Sequence, residues 1–249
     1  MIGWINSNPI RKFKGCILNK KERAFLEALL IKISHEPQTA FYSKNILDHK
    51  LIKWDDIEYL LNDTYRITPE CVELINENHV KIEIPLFTCA WSHTPRPDPK
   101  FVFDKINAGH SLVILGASKI TKEVNHICSL IESIIPKTAV DVHAYCGLKK
   151  SKSFRAHYDH ADNVILHQTG KCHWKVYKQH AKDCNFEYNV NGKDLDVEFE
   201  CDLESGDMIY VPKHQYHEGF PLKKRISLSF PIVNADTKLD RNWYSINNK

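Results

Sequence analysis

Phe154-Arg155-Ala156-His157-Tyr158-Asp159-His160-Ala161-Asp162 holds two overlapping His-x-Asp triplets. Further along, Gly206-Asp207-Met208-Ile209-Tyr210-Val211-Pro212 leads into His214-Gln215-Tyr216-His217. Successive side chains of a strand point to opposite faces, so His157 and Asp159 on a strand project together, as two ligands of one metal ion require. A histidine from a distant strand would complete two imidazoles and one carboxylate. That facial set binds non-heme Fe(II) and leaves coordination positions open for reactants. An exposed polar strand or turn also produces a single His-x-Asp, so the surrounding chain has to decide.

The 249 residues suit one large domain, or one with a small appendage, and are enough to bury a substantial core. Hydrophobic residues make up 43% and charged residues 26%, the balance of an ordinary globular chain. A net charge of +3 argues against a dedicated nucleic-acid binder. The N-terminal stretch has no apolar core of signal-peptide length, and no run approaches the ~20 apolar residues of a membrane span. The expectation is a cytoplasmic protein with no membrane contact. Its eight cysteines form no Cys-x-x-Cys pair and read as reduced, mostly structural thiols.

Residues 20–33 place Phe25, Leu26, Leu29, Leu30 and Ile33 on one helical face. Trp54 to Leu61 reads as a second helix with acidic residues in its first turn. Thr68 to Ile75 reads as a third, with Thr68 as cap and Pro69 at the first helical position. Alternation over 80–85 predicts a strand, and the three prolines within 95–99 predict a loop or linker. A buried strand over 108–115 and a helix over 119–135 follow, the helix stopped by Pro136. From Ala139 the texture becomes short strands, at 140–145, 163–168, 173–177, 196–200, 207–211 and 225–230, separated by turn signals such as Thr169-Gly170 and Asn191-Gly192. Strands without intervening helices imply a closed or sandwiched antiparallel sheet.

His157-Tyr158-Asp159-(x2)-Asp162-Asn163-Val164 through Gly170, Cys172 and Trp174 resembles the JmjC/cupin branch that includes the ribosomal oxygenases, whose pattern runs H-x-D-x-x-D/E-x-F-x-x-Q-x-x-G-x-K/R-x-W. Gly206-Asp207-(x2)-Tyr210-Val211-Pro212-(x4)-His217-Glu218 resembles that family's G-D-x-x-Y-I-P-x-x-x-x-H-E/Q, and Ala108-Gly109-His110-Ser111-Leu112-Val113 its A-G-A-T-L-V strand. The resemblance implies an α+β fold: a double-stranded β-helix, the jelly roll of cupin and JmjC proteins, with a mainly helical N-terminal region packed on it. The expected divisions are 1–97 for that region, 98–233 for the catalytic core and 234–249 for a short tail. It also implies His157, Asp159 and His217 as catalytic iron ligands. His214 is the rival for the last place, and His160 with Asp162 is the competing pair on the other face.

The co-substrate anchor departs from the pattern. The resemblance implies 2-oxoglutarate held at its distal carboxylate by Lys or Arg two residues before Trp174, where this chain has Cys172. A neutral thiol cannot pair with a carboxylate, and Lys171 and His173 on either side should face away. Tyr145 stands where a family tyrosine touches the same carboxylate; a core aromatic is its other reading. Arg225-Ile226-Ser227 matches an Arg-x-Ser used by other 2-oxoglutarate oxygenases on the strand after the last ligand. A guanidinium clamps a carboxylate with two parallel hydrogen bonds, and Ser227 adds a third. The expectation is that the anchor has moved from the Cys172 position to Arg225; membership of Arg225 in the surface run Lys223-Lys224-Arg225 is the plain alternative, and Arg155 is a third candidate. Tyr158, Asp162 and Gln168 are expected to steer the ligands or line the pocket.

Taken together, the resemblance implies an Fe(II)- and 2-oxoglutarate-dependent dioxygenase that hydroxylates a protein or peptide side chain. A metal-dependent cupin that does not use 2-oxoglutarate and a non-catalytic cupin binding module stay open beside it. The oligomeric state, monomer or weak dimer, is not set by the residues. Basic runs at 11–14 and 149–152 could draw an acidic peptide or could be solvated surface.

Overall fold

The computed structural model describes residues 18–62, 67–89, 92–148, 154–181 and 189–234. The basic runs at 11–14 and 149–152, Cys16, Cys184 and residues 235–249 lie outside the described residues. The N-terminal part comprises α1 (Lys20–His35), β1 (Phe41–Ser43), α2 (Trp54–Asn62), β2 (Val72–Ile75), β3 (Lys81–Ile82), β4 (Leu86–Cys89) and β5 (Ser92–Pro97). Next come α3 (Pro99–Ala108), β6 (Ser111–Leu115), α4 (Lys122–Ile134), β7 (Thr138–Val140) and β8 (His143–Gly147). The remainder is strand apart from a 3-10 turn over Gly192–Asp194: β9 (Ala156–His157), β10 (Asp162–Thr169), β11 (Lys171–His180), β12 (Asn189–Val190), β13 (Val197–Glu204), β14 (Met208–Val211), β15 (Gln215–Pro221) and β16 (Arg225–Asn234).

A nine-stranded sheet runs β1-β14-β10-β16-β8-β6-β2-β3, with β7 also on β16, and faces a five-stranded sheet ordered β12-β9-β15-β11-β13. This is the jelly-roll α+β architecture. Both faces of the large sheet are buried. Val164, Leu166, Leu228 and Phe230 on one face join Leu26, Leu30, Val124, Ile127 and Ile131 of α1 and α4 in the main core. The other face meets the small sheet through Ile165, Ile209 and Val211, packed with Cys172, Trp174, Val176 and Leu203. Alternation along β16 therefore sends Ile226, Leu228 and Phe230 toward the helices and Arg225, Ser227 and Ser229 into the space between the sheets.

Several expectations are corrected. Thr68 to Ile75 is a short 3-10 turn over Pro69–Cys71 and then the strand β2, paired to β6; Val72 and Leu74 gain a ladder and a buried face that a lone amphipathic turn could not supply. The proline-rich stretch is β5, hairpinned on β4 with an irregular register outside the two main sheets, where a proline's missing N–H is tolerated. The N-terminal part is thus less helical than expected, and its β1, β2 and β3 extend the edges of the large sheet. Phe25 is 38% exposed, while Glu22 in the first turn of α1 is buried, closing a capping box with Asn19 and accepting hydrogen bonds from the Asp48 amide and the His49 ring. No helix among the described residues is long and apolar enough to cross a membrane.

Candidate metal centre and its pocket

β9 is two residues long and lies between β12 and β15, with His157 opposite His217. Asp159 sits past the end of β9, not on it, and its carbonyl accepts a hydrogen bond from the His214 N–H at 2.7 Å. Cross-strand pairing and a turn, rather than alternation along one strand, bring the three side chains together. His157 Nε2 is 3.9 Å from Asp159 Oδ1, His217 Nε2 is 3.4 Å from Asp159 Oδ2, and the imidazole centroids are 4.5 Å apart. Potential ligand atoms of the trio all lie within 4.8 Å of one another, the single such group among the described residues.

Each imidazole is oriented by the backbone carbonyl two residues before it. His157 Nδ1 is 2.8 Å from the Arg155 carbonyl and His217 Nδ1 is 3.0 Å from the Gln215 carbonyl. A carbonyl only accepts, so both Nδ1 atoms carry a proton, and Nε2 is the atom that each ring turns toward Asp159, as in metal-bound histidines. Burial, with His217 close by, pushes the His157 pKa down to about 4. Burial alone would raise Asp159, but the His217 hydrogen bond and the charge of both imidazoles outweigh it and hold the carboxyl well below its ordinary range. His217 is raised: burial opposes its charge, and Asp159 prevails. Trp174 stacks on His217 with centroids 6.0 Å apart.

The trio lies in one cavity with Tyr145, Asn163, Trp174, Arg225, Ser227 and Ser229. Arg225 is not on the surface with its lysine neighbours; it is 4% exposed, and its Nη2 donates to Ser111 Oγ at 3.3 Å. Gly170 makes that position possible, because a Cβ there would strike the Lys224 carbonyl immediately before Arg225. The guanidinium lies beside the Cys172 thiol, whose pKa burial raises while Arg225 pulls it back. Ser227 pairs across the sheet with Tyr145 and with His167, whose Nδ1 is 2.9 Å from Ser227 Oγ. Burial and then the Arg225 charge lower the His167 pKa to about 4, so this ring is neutral.

The rival residues lie elsewhere. His160 and His214 join Tyr158 in edge-on ring contacts at 5.3 to 5.9 Å, away from the trio. Asp162 accepts from the Lys213 N–H, and Gln168 Oε1 accepts from the Leu51 N–H, so neither lines the cavity. Arg155 is exposed. Lys171 and His173 pair with Asp202 on the outer face of β11. Sequence reasoning missed Asn163, Ser229, His167 and Ser111. The alternation Arg225-Ile226-Ser227-Leu228-Ser229-Phe230 was the signal for Ser229; Asn163 and His167 had none, because their partners come from another strand.

The chain matches the family model of the JmjC domain over residues 115–238, about half its length. The bifunctional lysine-specific demethylase and histidyl-hydroxylase NO66 of Brugia malayi is 26% identical over 141 residues, 54% of this chain and 20% of that protein. Ribosomal oxygenase 1 of Danio rerio is 22% identical over 209 residues, 78% of this chain and 35% of that protein. The chain thus spans only a fifth to about a third of these relatives. Among solved structures, Escherichia coli YcfD aligns with a TM-score of 0.57 at 16% identity, covering 80% of this chain and 50% of that one; a YcfD structure in complex with cobalt and 2-oxoglutarate gives 0.54 at 15%, covering 83% and 50%. These structures share the fold. The matched residues run from the end of β6 through β16 and take in the whole trio, and the chain belongs to the JmjC family.

Proposed function

We propose that this chain is an Fe(II)- and 2-oxoglutarate-dependent oxygenase that hydroxylates a C–H bond of a protein or peptide side chain. One observation carries the reading: a single cavity holds two imidazoles and a carboxylate turned to one point, and also a buried guanidinium beside a serine hydroxyl. The donor set fits Fe(II), since two nitrogens and one carboxylate leave coordination positions for other ligands. Arg225 and Ser227 fit a carboxylate, with the Tyr145 hydroxyl beside them and Cys172 standing neutral where the family pattern has its cation. In this reading His157, Asp159 and His217 hold the metal, and Arg225, Ser227 and Tyr145 hold the distal carboxylate of 2-oxoglutarate. Bound there, the metal and co-substrate supply O2-dependent oxidation that yields a hydroxylated product, succinate and CO2. The chain's own part is orientation and exclusion of water: the Nδ1–carbonyl bonds fix the imidazoles, Ser111 fixes the guanidinium, and Trp174 and Phe154 wall the cavity.

The names of the relatives, histidyl-hydroxylase and ribosomal oxygenase, support a protein substrate. Five described cysteines are thiols and suit a reducing, cytoplasmic setting. The catalytic unit in this reading is 98–233, with 1–97 integral to it. Anaerobic titration of the Fe(II)-loaded chain with 2-oxoglutarate, followed by succinate measurement on admitting O2, tests the reading. Saturable binding and O2-dependent succinate are expected. Firmly held zinc with no affinity for 2-oxoglutarate would instead establish a cupin of different chemistry.

A further inference from the structure

Asp159 lies past the end of its strand, so the two-residue pairing of β9 does not set the direction of its carboxylate. Two side chains from the large sheet do. Asn163 on β10 donates from Nδ2 to Asp159 Oδ2 at 2.6 Å, and Ser229 on β16 donates from Oγ to Asn163 Oδ1 at 2.6 Å. The direction of each bond is forced. An ionised carboxylate only accepts, so the Asn163 amide must turn its NH2 to Asp159; the amide oxygen left facing Ser229 also only accepts, so the serine must donate. Asn163 and Ser229 are each 5% exposed, which keeps bulk water from replacing either bond. Without the serine proton, nothing in this chain of bonds opposes an amide flip that would aim the Asn163 oxygen at the carboxylate and drive it away.

We propose that Asn163 and Ser229 are positioning residues acting in series on Asp159: Ser229 fixes which way the Asn163 amide faces, and the amide fixes the carboxylate toward the point it shares with His157 and His217. This rests on the reading of that trio as metal ligands. Neither residue need touch the metal, and Ser229 has no effect except through Asn163.

Co(II) titration of the full metal-free chain, followed by equilibrium affinity and visible absorption, tests the series. Asn163→Leu should weaken Co(II) binding by roughly 10–100-fold, the usual effect of removing a hydrogen bond to a ligand. Ser229→Ala should weaken it less and shift the same absorption bands, while Ser229→Thr, which keeps the hydroxyl, should match the parent. The double variant Asn163→Leu/Ser229→Ala should be no worse than Asn163→Leu alone, because the serine acts only through the amide. Parent-like affinity in Ser229→Ala, equal losses in Ser229→Thr and Ser229→Ala, or additive losses in the double variant overturns the proposal. His217→Ala separates the two levels: if it binds Co(II) as the parent does, the ligand reading fails and the series fails with it.

Discussion

The two ends of the cavity are built in different ways. At the end proposed to hold the metal, three donor atoms would have to meet one point, and His157, Asp159 and His217 stand at the positions the family pattern gives them, carried by a two-residue strand, a turn and a seven-residue strand. At the other end the pattern's cation is gone from β11, and Arg225 on β16 lies beside the vacated Cys172. The contrast is one of geometric tolerance. A carboxylate needs only a charge and donors arriving at one place, and any strand facing the cavity can deliver them. A metal's ligand set cannot be redistributed so easily, because each donor must also arrive with the correct direction.

That contrast can be broken experimentally. The largest effect should come from Asp159→Ala, which is expected to abolish Fe(II) and Co(II) binding in equilibrium dialysis, while Arg225→Ala leaves both intact. Leu228→Ala, on the helix-facing side of the same β16 that carries Arg225, should cost about 2–5 kcal/mol in denaturant unfolding and leave metal and 2-oxoglutarate affinities at parent values in the folded fraction; a matching loss of affinity would mean the two faces of β16 are not independent. Arg225→Ala should weaken 2-oxoglutarate binding by about 1.5–3 kcal/mol, the value of hydrogen bonds to a charged group, in an anaerobic titration. Adding Cys172→Lys to it should recover most of that loss. No recovery would show that the two positions do not serve the same carboxylate. Ser227→Ala should have the smallest effect, about 1 kcal/mol in the same titration.

The legible parts of this chain were those with local causes. α2 follows its 3.6-residue period, and β10, β11, β14 and β16 follow alternation or apolar runs bounded by turn signals such as Gly170. β15, which carries His217, has no apolar pattern of its own, since Glu218, Gly219 and Pro221 interrupt it; its place comes from pairing to β11 and β9. The prolines at 95–99 read as a loop and mask α3, although Asp98 caps it and Pro99 opens it. Thr68-Pro69 is a helix-start signal, and β2 forms instead because its partner β6 lies outside any local window.

By itself the sequence determined the family of the chain, the spacing of His157, Asp159 and His217, and the absence of a cation at Cys172, because these are matters of residue type and separation. Only the tertiary structure decided that Asp159 reaches the histidines from a turn, that Arg225 is buried beside Cys172 rather than solvated with Lys223 and Lys224, and that Asn163 and Ser229 stand behind the carboxylate. Those facts depend on which strands are neighbours. In a sheet, hydrogen-bond partners are set by register between segments far apart in the chain, and a single strand's side-chain alternation says which face a residue takes but not what it meets there.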